Sequence, residues 1–182
     1  MAYTAAMITF SAISGGACRI VSPTITCDVF PDTVSKDTWT MLDHPEETLR
    51  PNVVSWPGEY DFGGMTVRGI GQEAGKQVSY TCQLEGVRFA FIGSPVLDWQ
   101  DAEIEALGDI DILVVAADEP KKVNKLVEDV DPRIVILYET KGGNTAAVAK
   151  AIGAAAQTLS EYKVKAGSLP SESRQIVILH NP

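Results

Sequence analysis

Three nearly unbroken apolar runs govern what this chain can become. Phe89-Ala90-Phe91-Ile92-Gly93, Ile110 to Ala116 and Arg133 to Tyr138 are each the length of one strand. Runs this apolar, bounded by turn residues, suit strands covered on both faces. Ile92, Ile112, Leu113, Val114, Val135 and Ile136 are therefore expected at the centre of the core. Between the runs lie helical signals. Asp101 to Leu107 reads as a short helix. Asp118-Glu119-Pro120 opens another, with an acidic cap and proline in the first turn. Val123, Leu126, Val127 and Val130 make its apolar stripe, and Asp131-Pro132 stops it. Asn144 caps an alanine-rich helix expected over Thr145 to Gln157.

The first half has a different rhythm. Met7 to Ile13 reads as an opening strand and not as a signal peptide, because no basic segment precedes it. Ala17 to Val21 and Thr24 to Val29 flank Ser22-Pro23 as a hairpin. Phe30 to Arg50 is polar and irregular. Asn52 to Trp56 is a short strand ending at Pro57-Gly58, and Met65 to Ile70 alternates after the Gly63-Gly64 turn. Val78 to Leu84 and Val87 to Ile92 flank Glu85-Gly86 as a second hairpin. Tyr162 to Ala166 and Gln175 to Leu179 are the closing strands. Hairpins followed by strand–helix alternation predict a mixed α/β sandwich, sheets inside and helices outside. No linker splits residues 1–182, so one domain is expected.

Charge and cysteines narrow the function classes. The net charge is −9. A nucleic-acid partner needs a basic footprint, and none is visible; an anionic membrane surface is disfavoured for the same reason. No apolar run approaches the roughly 20 residues of a membrane-spanning helix. Cys18, Cys27 and Cys82 are odd in number and form no C-x-x-C. That argues against a disulfide framework or a thiolate zinc site, and for a reducing, cytoplasmic home.

Several segments in order resemble the metallo-β-lactamase fold, and most closely its small, ascorbate-lactonase-like bacterial hydrolase branch. Met7 to Asp28 resembles the family's opening strand, hairpin and aspartate. Pro57-Gly58-Glu59-Tyr60, Gly63-Gly64 and Val67-Arg68-Gly69-Ile70 resemble its PGEYE…GG…V-x-GI block. Phe91-Ile92-Gly93, Leu107 to Leu113 and Asp131 to Ile136 resemble three further segments. The resemblance implies a four-layer αββα sandwich in a compact, single-domain version. It also implies one or two divalent metal ions, zinc above all, that lower the pKa of bound water.

The ligand signature of that family, T-H-x-H-x-D-H, is degraded here. Aligned to it, His44 takes the first histidine, Glu46 the second, Thr48 the aspartate and Leu49 the last histidine. Ser94 stands where the bridging aspartate is expected, and Tyr138 or Glu139 where the final histidine falls. The histidine expected beyond Ile70 is missing too. Asp28 either orients backbone amides around the former site or caps a loop. Only His44 and Glu46 remain as candidate ligands, with Glu139 as a third in one register. A catalytic zinc needs about three protein ligands and an open position. The expectation is an inactive member without a metal cofactor, acting as a binding or scaffolding module. An unknown protein or a second copy would be its partner. The alternative is a hydrolase of a small lactone, ester or phosphoester, using zinc or another divalent metal on His44 and Glu46, with Asp28 or Glu139 recruited. His44 as a solvated loop residue and Glu46 as a surface charge are the plainer readings of those side chains.

Other chemistry lacks a basis. Neither His44 nor His180 has a nucleophile context, and Gly-x-Ser-x-Gly is absent. Gly69-x-Gly71 lacks the third glycine of a dinucleotide fingerprint. Lys141-Gly142-Gly143-Asn144-Thr145 could hold an anion at a helix N-terminus, though a helix-capping turn explains it as well.

Overall fold

In the computed structural model, which describes residues 6–153 and 155–181, two sheets face each other. The smaller has six strands in the order β13-β1-β2-β3-β4-β5. These are β1 (Ile8–Ile13), β2 (Ala17–Val21), β3 (Thr26–Val29), β4 (Trp39–Met41), β5 (Val53–Val54) and β13 (Glu161–Val164). The larger has eight, in the order β12-β14-β11-β10-β9-β8-β7-β6. They are β6 (Gly58–Phe62), β7 (Met65–Gln72), β8 (Gln77–Leu84), β9 (Val87–Ile92), β10 (Ile112–Ala116), β11 (Ile134–Tyr138), β12 (Ala156–Leu159) and β14 (Gln175–Leu179).

The apolar runs behave as expected. β9, β10 and β11 are parallel neighbours at the middle of the large sheet. Ile92, Ile112, Leu113, Val114, Val135 and Ile136 are all fully buried. Parallel neighbours require crossovers, and these are α1 (Asp101–Leu107), α2 (Pro120–Val130) and α3 (Thr145–Ile152). Right-handed crossovers advancing in one direction place all three helices on one face. Val123, Leu126, Val127 and Val148 are buried there. The implied α/β sandwich is thus present, with one outer layer reduced. Among the described residues the far face of the small sheet carries no α-helix, and Thr9, Ser11 and Arg19 stand there half-buried.

The facing surfaces are apolar. Phe10 of β1 meets Phe89 of β9 edge-on, with ring centroids 5.4 Å apart, and lies 6.4 Å from Phe91. Trp39 of β4 stacks on Phe62 of β6 at 4.1 Å. Tyr80 of β8 is fully buried, and its hydroxyl points at the Leu42 and Val54 carbonyls, 2.6 and 3.2 Å away. One large-sheet side chain thereby serves two backbone carbonyls of the small sheet's edge.

The block resembling PGEY…GI is a packing device. A Cβ on Gly69 would lie 2.8 Å from the Trp56 carbonyl oxygen, and one on Gly71 2.8 Å from Pro57 Cγ. Both glycines are there because the segment entering β6 crosses directly over β7. Asp111, in the segment matched to Leu107–Leu113, also has a structural role. Its carboxylate accepts the Arg88 N–H at 2.9 Å, and its carbonyl accepts the Arg133 and Ile134 N–H groups at 3.0 Å each.

Three expectations change. α3 ends at Ile152 with Gly153 left-handed as its cap, not at Gln157; Ala154 lies outside the described residues. Residues 156 to 159 form strand β12 instead. The stretch Phe30 to Arg50 holds β4, and the strand expected over Asn52–Trp56 shrinks to two residues. Asn144 does cap α3, its side chain accepting the Ala147 N–H at 2.9 Å. α2 likewise starts as expected, with the acidic Glu119 at its N-cap position and Pro120 next.

Replacing Tyr80 with Phe should cost about 1–3 kcal/mol, because the buried Leu42 carbonyl loses its donor while the Val54 carbonyl keeps the Leu42 N–H. Urea denaturation of the two proteins, compared at the transition midpoint, checks this.

Candidate functional site

The ends of β9, β10 and β11 are level, since Ile92 pairs with Val115 and Ala116 with Tyr138. Residues just past these ends therefore share one rim of the sandwich. Opposite them the β1–β2 turn brings Gly15 and Gly16, both left-handed. A Cβ on Gly16 would sit 3.1 Å from the Glu139 carbonyl oxygen. Between the two rims lies a cleft of about 200 Å³, lined by Phe30, Asp32, Asp43, Ser94, Tyr138 and Lys141. It runs on into a hollow of about 440 Å³ beside Ile13, Glu139 and Leu179, the two sharing Gly15, Gly16, Thr140 and Lys141.

Of the expected site residues, Ser94 and Tyr138 line this cleft. Ser94 Oγ lies 2.8 Å from Asp118 Oδ2, to which it donates. The same carboxylate oxygen accepts the Val96 N–H at 3.1 Å, and Oδ1 accepts the Glu119 N–H at 2.7 Å. The Tyr138 hydroxyl donates to the Ile92 carbonyl at 2.9 Å. Burial pushes the Tyr138 phenol well above its ordinary pKa, with Cys18, Asp118 and Asp43 adding to the shift. It therefore keeps its proton at neutral pH. Glu139 is exposed and borders only the neighbouring hollow.

The others lie elsewhere. Asp28 is on the far face of the small sheet, because alternation along β3 turns Cys27 and Val29 into the core and Asp28 away from it. There it accepts Arg19 Nε at 2.6 Å and Nη2 at 3.0 Å, and Thr38 Oγ1 lies 3.4 Å away. The bond to Asp28 raises the Arg19 pKa above its ordinary value, against the opposing effect of burial. Asp28 is thus a structural ion-pair partner and neither orients the cleft nor caps a loop. Glu46 pairs with Arg50, and its carbonyl accepts the Trp56 indole N–H at 2.9 Å. Thr48 is exposed, and Leu49 is 81% exposed. Leu49 thus fills no former metal space.

His44 faces solvent and touches the cleft only through Asp43, its Nδ1 lying 2.6 Å from Asp43 Oδ1. Asp43 itself enters the cleft, one residue ahead of the histidine that drew the alignment. Asp32 and Lys141 also line the cleft, and Asp118 braces it through Ser94; of these, only Asp118 and Lys141 sit in local sequence signals, at the starts of α2 and α3.

These residues do not fit the metal that the family's chemistry uses. The cleft offers the carboxylates of Asp32 and Asp43, the Ser94 and Tyr138 hydroxyls already committed to Asp118 and Ile92, and a Thr140 hydroxyl without a partner. No imidazole or thiolate points in, and among the described residues no three His, Cys, Asp or Glu side chains group closely enough to hold an ion. His44 and Glu46, the two candidate ligands, are not brought together in the cleft.

The sequence profile described as a beta-lactamase superfamily domain matches residues 20–138. No curated protein matches. Among solved structures, a proposed Zn-dependent hydrolase of the metallo-beta-lactamase superfamily from Thermotoga maritima superposes with a TM-score of 0.73 at 15% identity, covering 94% of this chain and 98% of its own. The metallo-beta-lactamase fold protein YhfI from Bacillus subtilis gives 0.63 at 8% identity, covering 97% of each chain. A proposed metal-dependent hydrolase from Parabacteroides distasonis gives 0.64 at 12%, covering 96% and 94%.

Ser94→Asp places a second carboxylate beside Asp118. The pair should then retain one proton above the ordinary carboxylate range. A raised folded-state pKa makes the variant's deficit largest at neutral pH and smaller as pH falls through that pKa. Melting temperatures of variant and parent, measured at pH 7.5 and about pH 4.5, should differ by a few degrees at the first and less at the second.

Proposed function

This chain belongs to the beta-lactamase superfamily, and from that premise we propose that it is a catalytically inactive member retained as a binding or scaffolding module. One observation carries the reading. The groups at the ligand positions of the cleft are tied into the fold itself. Ser94 holds Asp118, and Tyr138 holds the end of β9. A working hydrolase needs side chains left free to bind metal or move a proton at the reacting atom. Here the exposed Ser94 hydroxyl and the buried Tyr138 hydroxyl both bond within the chain, and the phenol keeps its proton. The rival reading requires His44 and Glu46 to act with Asp28 or Glu139. Glu46 is engaged by Arg50, and Asp28 lies on the opposite face of the small sheet with Arg19.

A binding role suits what is left. Glycine backbone, the Lys141 ammonium, Asp32 and Asp43 border a cleft of small-molecule size. Its occupant would be small and polar. The three cysteines are free and buried, which fits a reducing compartment. Among the described residues no helix is long and apolar enough to cross a membrane, and the acidic balance disfavours nucleic acid.

Elemental analysis of protein purified without chelator tests the proposal; far less than one zinc, manganese or iron per chain is expected. EDTA should leave the melting temperature unchanged. A site filled at ~100 times its dissociation constant would contribute about 2.7 kcal/mol, and its loss would lower the transition by several degrees. Near-stoichiometric metal together with such a drop would sink the reading.

A further inference from the structure

The cleft and the hollow beside it form one depression whose walls differ in chemistry from end to end. The cleft end is acidic. A Cβ on Gly93, just past β9, would lie 3.5 Å from both Asp43 Cβ and Phe30 Cε2, so the Asp43 side chain and the Phe30 ring stand side by side. On the opposite rim a Cβ on Gly15 would meet Asp32 Oδ2 at 2.5 Å, so that carboxylate lies against the bare backbone of the β1–β2 turn. Asp43 gives Oδ1 to the exposed His44 ring and keeps Oδ2 free. Among the described residues no lysine or arginine lies within ion-pairing distance of Asp32 or Asp43.

Lys141 stands where the two cavities join, since it lines both. It is exposed, and among the described residues no carboxylate pairs with it. Beyond it the wall turns apolar. Ala12 and Ile13, both half-buried, border the hollow with Leu179. Glu139 is the hollow's one other titratable group.

We propose that this depression binds a free α-amino acid with an aliphatic or aromatic side chain. The ligand's ammonium group sits at Asp32 and Asp43 beside the Phe30 ring, its carboxylate meets Lys141, and its side chain enters the hollow against Ala12 and Ile13. The inference rests on the reading of the cleft as a binding site and names the class of molecule it holds.

The order of the walls selects this occupant. An α-amino acid carries a cation, an anion and an apolar group on one carbon, and the depression offers a complement to each in turn. A simple anion is opposed by the chain's charge of −9, whereas a zwitterion brings no net charge. A simple amine would satisfy the carboxylates and leave Lys141 facing its hydrocarbon part. Glu139 repels an acidic side chain, so aspartate and glutamate are disfavoured. The cleft of about 200 Å³ takes the charged head, and the hollow of about 440 Å³ leaves room for a ring.

Calorimetric titration of the intact protein in EDTA, with L-leucine and L-phenylalanine as probes, tests this. One of the two should bind saturably at one molecule per chain. 4-Methylpentanoate, which is leucine without its ammonium group, and 3-methylbutylamine, which is leucine without its carboxylate, should bind roughly tenfold more weakly, as should glycine and L-glutamate. Lys141→Gln, at an exposed position, should weaken leucine and narrow its advantage over 3-methylbutylamine. Asp43→Asn should narrow its advantage over 4-methylpentanoate. If neither amino acid binds the metal-free protein with or without added zinc, the inference falls and the inactive-module reading stands. Equal affinity for leucine and either truncated probe also overturns it. Binding that EDTA abolishes and zinc restores overturns both the inference and the inactive reading.

Discussion

The structure depends on the contact between two apolar sheet faces. Phe10, Phe89 and Phe91 form its centre, and everything at the rim is positioned by it. Burying aromatic faces contributes on the order of 25 cal/mol for each Å² removed from water. The contact is also directional, because edge-on rings fix how far one sheet slides over the other. Once that offset is set, the ends of β9, β10 and β11 stop at one level, and the β1–β2 turn is brought up against Glu139. The cleft follows from where strands stop, so it persists whatever side chains occupy it.

How much of this was legible in the sequence divides along a physical line. Strands buried on both faces announce themselves by composition, and β9, β10 and β11 were read correctly. So were the helix start at Asn144 and the stop at Asp131, which is left-handed in the structure. β4 and β6 were missed for opposite reasons. β4 is three residues inside a polar loop, too short for a period to show. β6 is an edge strand whose glycine and carboxylates argue against a strand on propensity alone. The alanines after Ile152 read as more helix, because alanine is the best helix former. Gly153 ends the helix, and the chain beyond it is claimed by an unpaired edge of β14.

The site was less legible than the fold. A strand alternates its faces every residue, so an error of one position exchanges cleft for outer surface. Asp28 shows this. It sits at the end of the right strand but faces the wrong way, and Arg19 neutralises it there. His44 shows the same in a loop, where the neighbouring Asp43 takes the inward direction. A search for histidines found the residue beside the one that matters. Asp118 stands in a helix-start signal, and what it holds, Ser94 and Val96, lies on a different segment. Contacts across a sheet leave no trace in local spacing.

This separation explains how the family remains visible in a chain that, among its described residues, groups no three metal-ligating side chains. Gly69 and Gly71 are fixed by the backbone of Trp56 and by the Pro57 ring, which would collide with any Cβ there. Asp111 is fixed by backbone amides of two neighbouring segments. Those demands hold with or without a metal. Metal ligands face the reverse pressure. Unpaired carboxylates crowded at a rim repel one another, and a desolvated imidazole needs a partner. Without an ion to neutralise them, hydroxyl groups that bond to their neighbours are the more stable occupants. Ser94 against Asp118 and Tyr138 against Ile92 are such occupants. The sandwich has the fold of its superfamily, while the Ser94 and Tyr138 hydroxyls at its rim bond within the chain.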